Sequence, residues 1–303
     1  MTSASSVRSI VARSALFVPG DAPDKLDRCF EYGADCVIAD LEDAVAPARK
    51  DTAREKVAAW LPSRPARPVW VRVNNTEVLA ADIAAVVRPG LSGICVPKCS
   101  SAREVDRLDG IIEASELAAG LPTRSIAVWP LIESPAGLAA VFDLVASPRV
   151  AGLQIGEVDL VAGLGISASE DESELHPYRS LVVLASNAAG LGAPLAPASV
   201  QWRDEERYRR SSEAMARMGF GGRVCIHPRQ VAIANEVFTP SAERLEWARR
   251  VVRGFDAARS AGVGVFVDDS GQMIDEAVVR IARRVILVAA ASDKGATELG
   301  DEV

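Results

Sequence analysis

The sequence predicts an α/β fold, a (β/α)8 TIM barrel with a C-terminal helical arm. Three observations carry this expectation. Short apolar runs recur eight times, helical patterns alternate with them, and a length of 303 residues suits one such barrel. Runs that are apolar throughout imply a parallel sheet covered on both faces. An open doubly wound sheet is the competing arrangement. Its phosphate fingerprint, GxGxxG after the first strand, is absent, since the chain there reads FVPGDAPDK.

Strands are expected at Ala15–Pro19, Cys36–Glu42, Val69–Asn74, Gly93–Lys98, Ile126–Glu133, Val150–Glu157, Ala193–Ala198 and Gly222–His227. Between them the spacing predicts helices at Pro23–Tyr32, Ala48–Trp60, Leu79–Val87, Ala102–Ala118, Pro135–Val145, Tyr178–Ala189 and Asp204–Met218. Asp21 and Ser134 stand where N-caps belong, each just ahead of a proline. Gly33, Gly190 and Gly219 stand where C-caps belong. After the eighth strand come a helical Ser241–Ala261, a Gly-rich VGVFVDDSGQM and a helical Asp275–Ala291. Residues 13–240 are therefore expected to form the barrel. Residues 241–303 would be an arm or lid on the barrel or on a neighbouring subunit, and residues 1–12 a disordered N-terminal arm. The acidic stretch SASEDESEL (Ser167–Leu175) reads as a solvated loop or a mobile flap.

The formal net charge of −7 argues against a nucleic-acid partner, because phosphate neutralisation needs a basic face. It leaves room for a small anionic substrate held by a local Arg and Lys. The five Cys residues form no CxxC pair, and Cys36, Cys95 and Cys225 lie in apolar runs. A reducing cytoplasm without disulfides is expected. A metal site at Cys95 and Cys99 lacks a second Cys or His pair. No apolar run approaches membrane-spanning length, so no membrane partner is expected. The opening MTSASSVRSIVA lacks the apolar stretch of a signal peptide.

In a barrel, alternate strand residues face the interior, and functional groups gather at the C-terminal strand ends. In the third strand the valines share one face, leaving Trp70, Arg72 and Asn74 on the other. The second strand ends in Asp40, Leu41, Glu42 and Asp43, the fourth at Lys98, the fifth at Glu133, and the sixth in the Glu157–Asp159 segment. Several acids and two bases thus meet at one rim. Arg72 and Lys98 either neutralise Asp40 and Glu42 in a buried network or wait for a substrate anion. Glu133 and Asp159 suit a hard cation such as Mg²⁺, which takes one or two carboxylates and keeps waters. A general acid/base pair of the glycosidase kind is the other reading, although aromatic platforms are scarce in this chain. His227 would either support the rim or bind local backbone, and His176 reads as structural. No GxSxG, HExxH or P-loop occurs.

These segments resemble the citrate lyase β-subunit-like family within the HpcH/HpaI aldolases. The matching stretches include RSALFVPGDAPDKL, GADCVIADLEDAVAPARKDTAR, VWVRVN, VPKCSSAREV, PLIESPAGL, GFGGRVCIHPRQVAIANEVFTPS and GQMIDEAVV, spanning Arg13 to about Arg284. The resemblance implies a Mg²⁺-dependent barrel, with Mn²⁺ as an alternative ion, assembled as a homotrimer or hexamer. It implies a carbon–carbon lyase that makes or breaks β-hydroxyacyl-CoA thioesters of the citryl-, malyl- or citramalyl-CoA type, giving acetyl-CoA and a keto acid. Metal ligands would be Glu133 and Asp159. Arg72 would bind the substrate carboxylate, with Phe17, Asp40, Lys98 and Glu133 around the substrate. Asp275 would act as acid/base across a subunit interface, with Glu42 and Asp43 in support. The rival readings are a metal-dependent aldolase on free pyruvate-type substrates and an acyl-CoA thioester hydrolase.

The sequence departs from the family pattern in three places. The usual G-A-E-D-L is Gly156-Glu157-Val158-Asp159-Leu160, so on a strand the acid beside Asp159 would point to the other side. GDAP stands for GDRP, with Ala22 in place of Arg. APLAPAS lacks the usual acid near the seventh strand, and the segment after VRVNN looks shortened. Each change touches the rim or the way in for substrate.

Overall fold

Eight parallel strands close into a barrel in sequence order, with the eighth pairing back onto the first. The computed structural model describes residues 12–63, 67–260, 262, 264–268 and 271–294. The expected N-terminal arm, residues 1–12, lies outside the described residues apart from Ala12, which is buried. The ends of the chain beyond residue 294 lie outside them as well.

The strands are β1 (Ser14–Pro19), β2 (Cys36–Asp40), β3 (Val69–Arg72), β4 (Gly93–Val96), β5 (Ala127–Ile132), β6 (Gln154–Ile155), β7 (Leu195–Ala196) and β8 (Gly222–Cys225). The helices that cover them are α1 (Pro23–Arg28), α2 (Lys50–Trp60), α3 (Leu79–Val86), α4 (Ala102–Ala118), α5 (Pro135–Ala139), α6 (Val141–Leu144), α7 (Glu157–Leu164), α8 (His176–Ala188), α9 (Glu205–Met218) and α10 (Pro228–Val237). The doubly wound alternative is thereby excluded.

Strand alternation produces two cores. Val69, Val71 and Val73 join the outer layer between strands and helices, with Val37, Ala39, Ile94 and Val96. Trp70 points inward, to a cluster with Ile38, Cys95, Trp129, Leu131 and Val224. Trp70 and Trp129 stack with ring centroids 3.5 Å apart and planes 7° apart. This pair fills the barrel axis below the rim, where small neighbours make room for it. A Cβ on Gly93 would lie 2.3 Å from the Trp70 ring. All five cysteines are buried.

Local chemistry sets the helix starts. Ser134 accepts from Gly137 N at the head of α5, as expected, whereas Asp21 does not cap α1 and Ala22 holds that position. Gly33 and Gly219 end their helical segments in the left-handed region.

Three expectations are corrected. Strands β2 to β8 stop short of their expected ends, whereas β1 ends at Pro19 as expected; at the rim, side chains take over part of the backbone hydrogen bonding. Asp40, for example, accepts from Glu42 N and Ala44 N. Glu157–Asp159 is not strand but the first turn of α7, so the parity argument for the acid beside Asp159 does not apply. Residues after Cys225 form α10 instead of extending β8. His227 is its N-cap, accepting from Arg229 N, with Gln230 closing a capping box.

Beyond the barrel, α11 (Ala242–Ser260) and α12 (Glu276–Lys294) pack together with a two-stranded ribbon of β9 (Phe266–Val267) and β10 (Met273–Ile274). Ala248, Val251, Phe255, Ile274, Val279 and Ala282 form their own small core. Arg284 donates to Asn187 of α8, at 3.2 Å. Among the described residues, no helix is long and apolar enough to cross a membrane.

The stacked indoles leave position 93 no slack. Gly93→Ala is expected to destabilise the fold by about 1–3 kcal/mol through overpacking, read as a lower urea midpoint. An unchanged midpoint would show that the stack can shift.

Candidate active site

Arg72, at the end of β3, faces Asp40, its register partner at the end of β2. The pairing is bidentate, with Nε to Oδ1 at 2.7 Å and Nη2 to Oδ2 at 2.6 Å. Nη1 lies 2.9 Å from Glu42 Oε2 as an ion pair without hydrogen-bond geometry, and 3.6 Å from Asp43. The Arg72 guanidinium also lies 4.8 Å from the centroid of the Phe17 ring on β1. Burial opposes the charge on Arg72, but the hydrogen bonds and charge of Asp40 raise its pKa above the ordinary value.

Glu42 ties this pair to the next strand, because Lys98 Nζ donates to Glu42 Oε1 at 2.9 Å. Burial raises the Glu42 carboxyl, with Arg72 and Lys98 pulling the other way. The Lys98 ammonium is raised by its bond to Glu42. Arg72 and Lys98 thus engage Asp40 and Glu42, as the network reading expected. Asp43 is exposed.

Glu133 follows β5 and is only 4% exposed. Its Oε1 accepts from Lys98 N at 2.7 Å. Burial pushes its carboxyl up to about 7, against the lowering effect of that N–H, with the charges of Glu42 and Asp159 adding to the rise. Lys98 delivers its N–H from the left-handed region, φ +54°, which costs a non-glycine residue about 1–2 kcal/mol. One strained residue therefore holds Glu133 with its backbone and Glu42 with its side chain.

Asp159 lies in the first turn of α7 and is exposed. Its neighbour Glu157 is gripped by buried Arg179 of α8, Nη2 to Oε2 at 2.7 Å. Arg179 also donates to Glu172 in the acidic loop at 2.6 Å. That loop is further ordered by Ser169, which bonds Asp171 and Glu174 at 2.8 Å each. The expected site residues Phe17, Asp40, Glu42, Asp43, Arg72, Lys98, Glu133 and Asp159 thus meet at or beside one rim. Asp275 does not join them through a bond within the chain. It is exposed and caps α12, accepting from Val278 N at 3.0 Å.

Other residues of the rim carried weaker signals in the sequence. Lys50 donates to the carbonyls of Leu41 and Glu42 and to Asn74 Oδ1 at 2.7 Å. Buried Asp82 accepts from Asn74 N and Nδ2. Lys50 stands in the ARKDTAR stretch and Asp82 in an Ala-rich helical pattern, where each reads as an ordinary surface charge.

The donor set suits a hard divalent ion. Glu133 offers a buried carboxylate, and Asp159 lies close enough to raise its pKa. Gly156 keeps the space beside Glu133 clear, since a Cβ there would sit 2.8 Å from Oε2. Among the described residues no group of three or more His, Cys, Asp or Glu forms a closed cage. Two carboxylates plus waters and substrate oxygens match the open coordination that Mg²⁺ accepts.

Comparisons place this geometry among known proteins. The model of the HpcH/HpaI aldolase/citrate lyase family matches residues 13–228. The citrate lyase subunit beta of Leuconostoc mesenteroides subsp. cremoris is 31% identical over 285 residues, covering 92% of this chain and 94% of that protein. A (3S)-malyl-CoA thioesterase of Cereibacter sphaeroides is 32% identical, covering 92% and 95%. The crystal structure of the CitE protein of Mycobacterium tuberculosis, in complex with magnesium, acetoacetate and coenzyme A, superposes with a TM-score of 0.71 at 29% identity, covering 93% of this chain and 98% of that one.

A proton and a divalent ion held by Glu133 would compete for its carboxylate. With the carboxyl at about 7, Mg²⁺ affinity should be fullest above about pH 8 and fall roughly tenfold per unit well below 7. Calorimetric titration with MgCl₂ at several pH values reads this out. A flat profile from pH 8 to pH 5.5 would remove Glu133 from the ligand set.

Proposed function

The chain belongs to the HpcH/HpaI aldolase/citrate lyase family, and from that premise we propose that it is a Mg²⁺-dependent carbon–carbon lyase acting on a β-hydroxyacyl-CoA thioester. The products would be acetyl-CoA and a keto acid, or the same partners would condense in reverse. The observation that carries this reading is the buried Glu133 carboxylate beside Asp159, on the rim where Arg72 offers a desolvated guanidinium.

Glu133 and Asp159 would hold the ion, with Mn²⁺ as an alternative occupant. A divalent ion there supplies the positive charge that polarises a keto-acid carbonyl and offsets charge as an enolate develops. Arg72 binds the keto acid's carboxylate, its planar fork oriented by Asp40 and backed by Phe17. Lys98 holds Glu133 and Glu42 at a fixed separation, so that the metal and carboxylate subsites keep their spacing. In cleavage, a base removes the proton of the β-hydroxyl, the Cα–Cβ bond breaks, and the electron pair passes to the thioester enolate. That enolate then takes a proton to give acetyl-CoA. In synthesis, the base removes a methyl proton instead, and the enolate carbon attacks the keto carbonyl. Asp275 is the proposed proton carrier, delivered by the C-terminal arm to the rim of a neighbouring subunit in a trimer or hexamer. Residues 13–240 would then be the catalytic barrel and residues 241–303 the arm. A cytoplasmic setting fits the acyl-CoA substrate.

Thioester hydrolysis is the second reading, favoured by the 32% identity to a malyl-CoA thioesterase. Water would then replace the carbon nucleophile.

Purified protein with Mg²⁺ and malyl-, citramalyl- and citryl-CoA, followed separately for acetyl-CoA and keto acid, tests the reading. Equal release of both is expected. Free CoA without acetyl-CoA would select hydrolysis, and activity confined to free hydroxy-keto acids would overturn the thioester reading. Glu133→Gln should lower metal-dependent turnover at least about a hundredfold with the fold intact. Activity per subunit should fall on dilution as the oligomer dissociates. A dilution-independent rate in monomers would remove Asp275 from its role.

A further inference from the structure

The two acids proposed to hold the ion are secured in different ways. Glu133 accepts a backbone N–H from Lys98 at 2.7 Å. Asp159 is exposed, and among the described residues it has no hydrogen bond or ion pair of its own. Its position therefore depends on the first turn of α7. That turn is weakly built. Gly156 has no side chain to cap it, and α7 is only eight residues long. Val158 is exposed rather than packed, so that Leu160 is the first residue of the helix to reach the core. A short helix without a side-chain cap frays from its end.

The turn is held from outside by Arg179 of α8, which is 2% exposed. Its Nε and Nη2 donate to the two oxygens of Glu157 at 2.5 and 2.7 Å. Such a planar fork fixes orientation as well as distance. Glu157 stands two residues before Asp159, so fixing its carboxylate fixes the rotation of the turn that presents Asp159. The departure from the family pattern at this point has a consequence here. With the acid at 157 and valine at 158, the negative charge beside Asp159 is taken up by Arg179.

The same guanidinium reaches further. Nη2 also donates to Glu172 at 2.6 Å, and Arg207 of α9 approaches the other Glu172 oxygen at 3.9 Å. Glu172 lies in the left-handed region, φ +54°, which a residue with a side chain does not favour. Its ion pair thus holds the acidic loop in a conformation that local preference would abandon.

We infer that Arg179 is the positioning residue for Asp159, and that its shared guanidinium couples the order of the acidic loop, residues 167–175, to occupancy of the metal subsite. The inference rests on the metal reading above. An ion that draws Asp159 toward Glu133 stills the turn, the turn holds Glu157, and Arg179 is then set to hold Glu172. Coupling is reciprocal, so the held loop strengthens ion binding by the same factor.

Hydrogen exchange and Mg²⁺ calorimetry on the full-length protein, at one fixed pH, test it. In the wild type, MgCl₂ should slow amide exchange across residues 167–175 as well as in the first turn of α7, although the loop supplies none of the proposed ligands. Arg179→Gln should weaken Mg²⁺ binding about tenfold and abolish the loop's response. Arg179→Lys keeps the charge without the fork and should recover part of the affinity. Glu172→Gln should weaken Mg²⁺ only about threefold and still lose the response. Glu157→Gln, which removes the charge but keeps the shape, repeats the test if Arg179→Gln fails to fold. A lower urea midpoint with unchanged Mg²⁺ affinity in these variants would mark a merely structural role, overturning the inference and leaving the lyase reading standing. Wild type that binds Mg²⁺ without protecting the loop would overturn the coupling. Wild type that binds no Mg²⁺ would overturn the metal reading and the inference together.

Discussion

The Arg72–Asp40 pair is the constraint around which the barrel mouth is built. A guanidinium does not give up its proton, so one placed inside a barrel requires a partner. Asp40 is that partner because the strand register sets it directly opposite. Once Asp40 turns to Arg72, its oxygens also fix the backbone of Glu42 and Ala44. Glu42 then reaches both Arg72 and Lys98. With Asp43, Glu133 and Asp159 added, acids outnumber bases at this rim. A divalent cation bound there would relieve that imbalance.

Below the mouth, the Trp70–Trp129 stack closes the barrel axis. The barrel interior is thereby left to packing, and the strand ends are where loop residues can vary without disturbing the core. On the Asp159 side, Arg179 joins Glu157 in α7 to Glu172 in the acidic loop. The loop expected as either a solvated stretch or a flap is therefore tied to the helix that carries Asp159. Those ion pairs are partly buried, so they restrain the loop more strongly than surface pairs would.

The sequence made the strands and their alternation legible, since apolar runs and strand parity need no tertiary information. Trp70 and Arg72 fell on the inner face for that reason. The strand ends were overrun, because DLED, VPK and IGEVD look extended yet are bent by side-chain bonds. The start of α7 had no Ser, Thr, Asp or Asn cap to announce it; Gly156 serves instead. His227, an unusual cap, hid α10 in the same way. The carboxylates of the rim could be named from their positions. The grip of Arg179 on Glu157 could not, because it joins residues from separate elements.

Lys98 shows how these constraints meet in one residue. Nothing in its side-chain type favours φ +54°, and glycine would adopt that backbone more easily. A glycine would still present an N–H to Glu133 but would release Glu42. Conformational ease and charge placement thus pull position 98 in opposite directions. Selection for thermal robustness alone would move this site away from lysine, so its retention would mark pressure on the reaction rather than on the fold.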